Sequence, residues 1–332
     1  MTESRIDRTT DPFTLRPECG GRIERCQIAF RYEGPMHPEA PVTLVMGGIS
    51  ADRRIRDEGE GWWEWAVGPE CPIDTAARRV LSFDYLGGPG ESSGSWVGGR
   101  DADRIAILST NDHADVVVAL LDHLGIDRLD SVVGSSFGGA VALSLAARHP
   151  ERVGRLLVIG AAEAPHPLAT AVRVVQRRIV TQAREEGSVR QGLALARALA
   201  ITTYRTDREF DQRFDGPVER DGTRLAFPVE RYLDHHATRF VERFSAEEYL
   251  CLSRSLDLHR VDPAAIRCPV TLVTVEGDRV APPWQLRRLA SQLVSAELIL
   301  LDSITGHDAF LADPDQIGPI LRRFHAAAEV AA

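Results

Sequence analysis

Ser131-Val132-Val133-Gly134-Ser135-Ser136-Phe137-Gly138-Gly139-Ala140 is the stretch on which the reading of this chain turns. Its first three residues are β-rich and apolar, and residues 139–148 carry a helical pattern. The turn between them reads G-x-S-x-G, from Gly134 to Gly138. A serine raised on so sharp a strand-to-helix turn has a strained backbone, and its neighbours two residues away press on the adjoining elements. Only very small residues fit there, and Gly139 and Ala140 extend that allowance into the helix. The helix start below Ser136 adds partial positive charge and the N–H of Phe137 for an oxygen anion. A phosphate-cradling loop is the competing reading, but G-x-x-x-x-G-K-[ST] is absent and the turn holds no lysine.

Outward from this turn, short apolar runs alternate with helical stretches. The runs are 42–46 (VTLVM), 80–83 (VLSF), 131–133 (SVV), 156–159 (LLVI), 270–275 (VTLVTV) and 298–301 (LILL). This is the rhythm of a mostly parallel sheet covered on both faces. It stops after Ile159. Residues 163–262 show no convincing strand, only helical patterns such as 171–183 and 192–204. The expected organisation is therefore a core segment over 1–162, a helical lid insertion over 163–265, and a second core segment over 266–332. An insertion there would cover the carboxyl ends of the strands, where open α/β sheets place their ligands. The glycine-rich loop 87–99 (GGPGESSGSWVGG) reads as a mobile surface connection.

In this architecture an acid and then a histidine follow the serine in chain order. Asp278 comes just off the end of the 270–275 run, and His307 follows 298–301 in a loop before the last helix. They complete a triad: His307 takes the Ser136 proton, and Asp278 holds the imidazole tautomer and stabilises its charged form. Glu276 and Asp302 are nearby carboxylates that read as surface ion-pair residues. A second oxyanion donor is expected after the first core strand, where Gly47 and Gly48 leave the backbone unobstructed, with Gly48 the first choice and Ile49 the second.

Bulk properties bound the rest. With 39 basic and 48 acidic residues the formal charge is −9, which argues against nucleic acid or an acidic membrane surface as partner. No apolar stretch approaches the length of a membrane span, and the polar N-terminus lacks a signal-peptide run. Cys19, Cys26, Cys71, Cys251 and Cys268 form no C-x-x-C pair and read as small hydrophobes in a reducing compartment. His235-His236 has no accompanying pattern of a metal site. A cytoplasmic enzyme is expected.

Beyond the elbow, the chain resembles the homoserine O-acyltransferase family of α/β-hydrolase-fold enzymes. The likeness rests on Gly61-Trp62-Trp63, on Leu86-Gly87-Gly88 with its Ser-rich loop, and on segments of the insertion: Gly192-Leu193-Ala194-Leu195-Ala196-Arg197, Thr203-Tyr204-Arg205-Thr206, Tyr232-Leu233 and Phe240-Val241-Glu242-Arg243-Phe244. Gly306-His307-Asp308-Ala309-Phe310-Leu311 resembles the family's histidine loop. The resemblance implies that acyl-CoA, as a co-substrate and not a resident cofactor, acylates Ser136, and that the hydroxyl of L-homoserine then collects the acyl group. It implies Arg197 at the acceptor's carboxylate, Asp308 near its amino group, Tyr204 in the substrate site, and a homodimer through the lid helices. The better-known acetyltransferases begin the oxyanion loop with His-Ala and carry Met after the nucleophile, where this chain has Gly47-Gly48 and Phe137. The glycine form resembles the succinyl-transferring branch. Arg53, Arg54 and Arg56 lie close enough in sequence to meet a succinyl carboxylate or CoA phosphates, and read equally well as a solvated turn.

Overall fold

The computed structural model describes residues 4–35, 37–94 and 107–329. Eight strands form the main sheet: β1 (Ser4–Thr9), β2 (Ala29–Gly34), β3 (Val42–Met46), β4 (Arg79–Phe83), β5 (Ser131–Ser135), β6 (Leu156–Ile159), β7 (Val270–Val275) and β8 (Ala296–Leu301). Their order across the sheet is β1-β2-β4-β3-β5-β6-β7-β8. β2 runs antiparallel to both β1 and β4, and every other pair is parallel. Among the described residues, three two-stranded ribbons lie outside this sheet.

Both faces of the central strands are buried, so they read as unbroken apolar runs. Leu44, Val132, Leu156, Val158 and Leu272 point into one core, and Val45, Val133, Leu157, Ile159 and Val273 into the other. The first core is closed by α1 (Thr110–Leu124) and α2 (Phe137–Arg148), whose Val117, Leu120, Leu121, Val141 and Leu145 are fully buried. The second is closed by Trp63 and by Ile317 and Leu321 of the C-terminal helix Pro314–Glu329.

The chain leaves β3 for β4 on one side and reaches β5 on the other. That reversal opens a crevice at the carboxyl ends of β3 and β5, and Gly47-Gly48 and Ser136 stand there. Between β6 and β7 run α3 (Pro167–Glu185), α4 (Val189–Tyr204), α5 (Asp207–Phe214), α6 (Pro228–Arg243) and α7 (Ala246–Leu258).

Three expectations are corrected. The sheet begins before residue 42, because β1 and β2 precede it. β2 carries Arg31 and Glu33, buried charges matched by Asp7, Asp57 and Arg5, which hide its strand pattern from a hydrophobicity reading. The insertion contains one short hairpin, Glu219–Asp221 with Arg224–Ala226. Within loop 87–99, the described part is pinned: Ser92 Oγ donates to Asp84 O and accepts from Ala29 N–H, and Ser93 Oγ accepts from Gln27 N–H. Residues 95–99 lie outside the described residues.

Candidate active site

Ser136 sits at φ 52°, ψ −115°, a conformation that side chains rarely adopt and that is held here by its surroundings. Its N–H donates to Ile159 O of β6 at 2.8 Å. A Cβ at Gly134 would lie 2.4 Å from Gly138 O, and one at Gly138 2.4 Å from Met46 O. The spacing of the two glycines is thus enforced by backbone against backbone, which no side-chain rearrangement relieves.

The turn brings Ser136 Oγ to 2.8 Å from His307 Nε2, and His307 Nδ1 to 2.8 Å from Asp278 Oδ2. Asp278 is almost wholly buried, and its other oxygen accepts the N–H groups of Val280 and Ala281, at 2.7 and 3.0 Å. The carboxylate is therefore aimed before it meets the imidazole. Burial works to lower the His307 pKa, but the charge and hydrogen bond of Asp278 outweigh it, with Asp308 adding, and the imidazole stands above its ordinary value. Glu276 is exposed, and Asp302 forms an ion pair with Arg208. Trp63 secures the histidine loop from below, donating from Nε1 to Phe310 O at 2.6 Å.

Phe137 begins α2, where the first-turn N–H groups have no partner within the helix. Across the crevice, Gly48 lies close to Ser136, and a Cβ on it would be 3.9 Å from that of the serine. Ile49 lines the same cavity as Ser136.

That cavity, of about 290 Å³, lies under the inserted helices. Ser136, His307, Tyr204, Arg173, Gln176 and Tyr249 are among its lining residues. Among the described residues, Arg173 and Arg279 line it and no carboxylate does, and Arg279 is paired with Asp207 outside it. Arg173 is paired with Asp257, which Arg177 also holds, each at 2.7 Å. Tyr249 Oη donates to Gln176 Oε1 at 2.9 Å. His259, another wall residue, is held neutral by burial, its pKa pushed down to about 4, and hydrogen-bonds Ala162 O and Thr110 Oγ1. A larger open groove, of about 1340 Å³, lies at the amino ends of the strands beside Val42, Asp130 and Val270, and Ser136 is not among its walls.

Arg197 and Asp308 do not line the cavity. The Tyr204 ring stands between one of them and the histidine, 5.4 Å from the Arg197 guanidinium and 5.7 Å from the His307 ring. Arg197 also stacks on Phe240, at 4.8 Å. Among the described residues no carboxylate reaches ion-pair distance of Arg197, and its buried Nε has no hydrogen-bond partner. Asp308 pairs with Arg205 at 3.2 Å.

Of the three arginines after the oxyanion loop, Arg54 is exposed and Arg56 half-buried, as in a solvated turn, and Arg53 departs from that reading. Arg53 is buried and engages Asp84, Asp7 and Glu91. Arg54 pairs with Asp52, which Arg243 of α6 also reaches. The Arg56 carbonyl accepts from Arg31 and Arg5.

Sequence reasoning missed Arg173, Gln176 and Tyr249. The signal was present in α3. Ala169, Val172, Arg173, Gln176 and Val180 share one face at helical spacing, and the two polar residues on this otherwise apolar face line the cavity.

Residues 46–314 match the family model for the alpha/beta hydrolase fold. The chain is 41% identical over 300 residues to a homoserine O-succinyltransferase of Xanthomonas campestris pv. campestris, covering 89% of this chain and 78% of that one. It is 33% identical over 345 residues to a homoserine O-acetyltransferase of Mycobacterium avium, covering 93% and 88%. Among solved structures, an esterase superposes with a TM-score of 0.86 at 18% identity, covering 97% of this chain and 100% of its own, a likeness of fold alone.

Proposed function

The chain belongs to the homoserine O-acyltransferase family of α/β-hydrolase-fold proteins, and on that premise we propose that it moves an acyl group from acyl-CoA to L-homoserine through an ester on Ser136. The observation that carries this reading is the line Ser136–His307–Asp278, opening into a cavity beneath the inserted helices.

His307 removes the Ser136 proton as Oγ attacks the thioester carbonyl. The oxyanion that forms takes hydrogen bonds from the Phe137 N–H and from the loop at Gly48 and Ile49. As the C–S bond breaks, His307 returns its proton to the CoA sulfur. The homoserine hydroxyl then gives its proton to His307, attacks the ester, and leaves as O-acylhomoserine while Ser136 recovers a proton from the imidazolium.

Succinyl is the favoured acyl group. Arg173, on the cavity wall and sharing Asp257 with Arg177, is a cation that a succinyl carboxylate could meet, and the higher identity to a succinyltransferase points the same way. For the acceptor, Arg197 offers a guanidinium without an ion-pair partner among the described residues to the amino acid's carboxylate, and Asp308 an anion near its amino group, with Tyr204 standing between Arg197 and His307. Leu168, Val175 and Leu195 are exposed on α3 and α4, which supports a homodimer through these helices, to be checked by sedimentation equilibrium.

The decisive experiment pairs succinyl-CoA and acetyl-CoA with homoserine and with serine under initial-rate conditions. Succinyl-CoA with homoserine should give the highest kcat/KM, with parallel double-reciprocal lines and an isolable acyl-enzyme that Ser136→Ala abolishes. Rates equal with and without an amino-acid acceptor would make the protein an esterase or thioesterase. Preference for serine would move it to the serine-acylating branch.

A further inference from the structure

Gly47 contributes a carbonyl that two donors grip at once: Tyr85 Oη at 2.8 Å and the N–H of Gly138 at 2.9 Å. The next carbonyl, of Gly48, accepts from Ala51 N–H at 3.0 Å. Two successive peptide planes are thus held, and these carry the N–H groups of Gly48 and Ile49. A peptide unit is rigid and trans, so fixing its C=O fixes the direction of its N–H.

Tyr85 follows the end of β4 and is buried to within 2%. Its ring packs edge-on against Phe137, with centroids 4.7 Å apart, and against His113, at 5.8 Å. One side chain therefore touches both halves of the oxyanion site. The ring abuts the residue that bears the first donor, and the hydroxyl holds the loop that bears the second. We propose that Tyr85 is a positioning residue that sets the oxyanion loop against the Phe137 amide through its hydrogen bond to Gly47 O.

The loop needs such a hold. Gly47 and Gly48 have no side chains to pack, and glycine has the widest backbone freedom of any residue. Without the phenol the carbonyl keeps only the Gly138 N–H, and the 47–48 plane gains a direction in which to swing. Burial pushes the Tyr85 pKa up, which keeps the hydroxyl protonated and able to donate. His113, packed on both rings and held neutral with a pKa lowered to about 3 by burial, brings no charge into the cluster.

The proposal rests on acyl transfer through Ser136, and its test separates the two. Tyr85→Phe keeps the ring and removes only the O–H. With p-nitrophenyl acetate as acyl donor, kcat for acylation should fall about ten- to hundred-fold, less than or equal to the loss of one full oxyanion donor. KM should stay within twofold, and the pH midpoint set by His307 should not move. Affinity for an alkyl boronic acid, whose tetrahedral adduct with Ser136 places an oxygen in the oxyanion site, should fall by the same factor. A folded Tyr85→Phe protein with acylation within threefold of the wild type overturns the proposal, as does a rate loss that comes with a shifted pH midpoint or unchanged boronate affinity. A wild-type protein that accepts no acyl label on Ser136 overturns the acyl-enzyme reading, and the role of Tyr85 with it.

Discussion

The Asp308 carboxylate lies 3.2 Å from the Arg205 guanidinium, while Arg197, the arginine expected to work beside Asp308, is stacked on Tyr204. The two charged groups of the proposed acceptor clamp are thus held by different means, one by an ion pair and one by aromatic faces. Among the described residues the buried Arg197 Nε has no hydrogen-bond partner. Arg197→Ala should lower kcat/KM for homoserine by the equivalent of about 2–5 kcal/mol, the cost of leaving a partly desolvated carboxylate without its partner. Acylation of Ser136 and slow hydrolysis of the acyl-enzyme should survive, because neither uses the clamp. Single-turnover acylation followed by acceptor titration measures the two steps separately; normal transfer in the variant would remove Arg197 from the site and favour the hydrolase reading.

In the proposed mechanism Asp278 supports the neutral base and the charged intermediate together. Because its carboxylate outweighs burial and holds the His307 pKa above the ordinary value, acylation should rise with pH as the imidazolium loses its proton, with a midpoint above that of a free histidine. Asp278→Asn removes that charge. The midpoint should then move down, and the rate on the plateau should drop about ten-thousand-fold through loss of the correct tautomer. An upward shift, or no shift, in the pH profile of acylation would contradict this electrostatic account.

Much of this site was legible before any coordinates. The positions of Ser136, Asp278 and His307 follow from strand-ends and chain order, because the elbow permits few residues and the fold permits one sequence of partners. The runs 42–46, 156–159 and 270–275 coincide with strands residue for residue. What escaped was polar by composition and buried by pairing. β2 was hidden by Arg31 and Glu33, and Arg53 looked like a surface residue for the same reason. An ion pair closed across the tertiary structure leaves no periodic mark on either strand. Tyr85 escaped on other grounds: its partner, Gly47 O, is a backbone atom 38 residues away.

Arg53 joins β1, the oxyanion loop and the segment after β4. Its guanidinium reaches Asp7, Asp84 and Glu91, its N–H donates to Asp84 Oδ1 at 2.7 Å, and its carbonyl accepts from Ser82 Oγ at 2.6 Å. Asp84 is completely buried. Arg53→Met keeps most of the volume but leaves that carboxylate without its cation, and should cost about 3–5 kcal/mol of folding stability. The backbone bonds from Arg53 and Glu91 to Asp84 remain, so the variant should still fold at low temperature. Urea unfolding followed by circular dichroism checks the loss; a change below 1 kcal/mol, on the scale of exposed ion pairs, would show the network to be peripheral.

Arg173 offers the sharpest test of the acyl group. It is on the cavity-facing side of α3 and shares Asp257 with Arg177, each pair at 2.7 Å. Removing Arg173 therefore leaves Asp257 paired with Arg177, and Arg173→Met, similar in length and apolar, should fold with little penalty. A succinyl group reaching the cavity would lose a charge-assisted contact of about 1.5–3 kcal/mol, or roughly a ten- to hundred-fold fall in kcat/KM for succinyl-CoA. An acetyl group has no carboxylate to lose, so its rate should change far less, and the ratio of the two donors should swing towards acetyl-CoA. Equal losses with both donors would assign Arg173 a structural part in the lid through Asp257. A fall confined to acetyl-CoA would exclude the cavity beneath α3 as the place where a succinyl carboxylate is held.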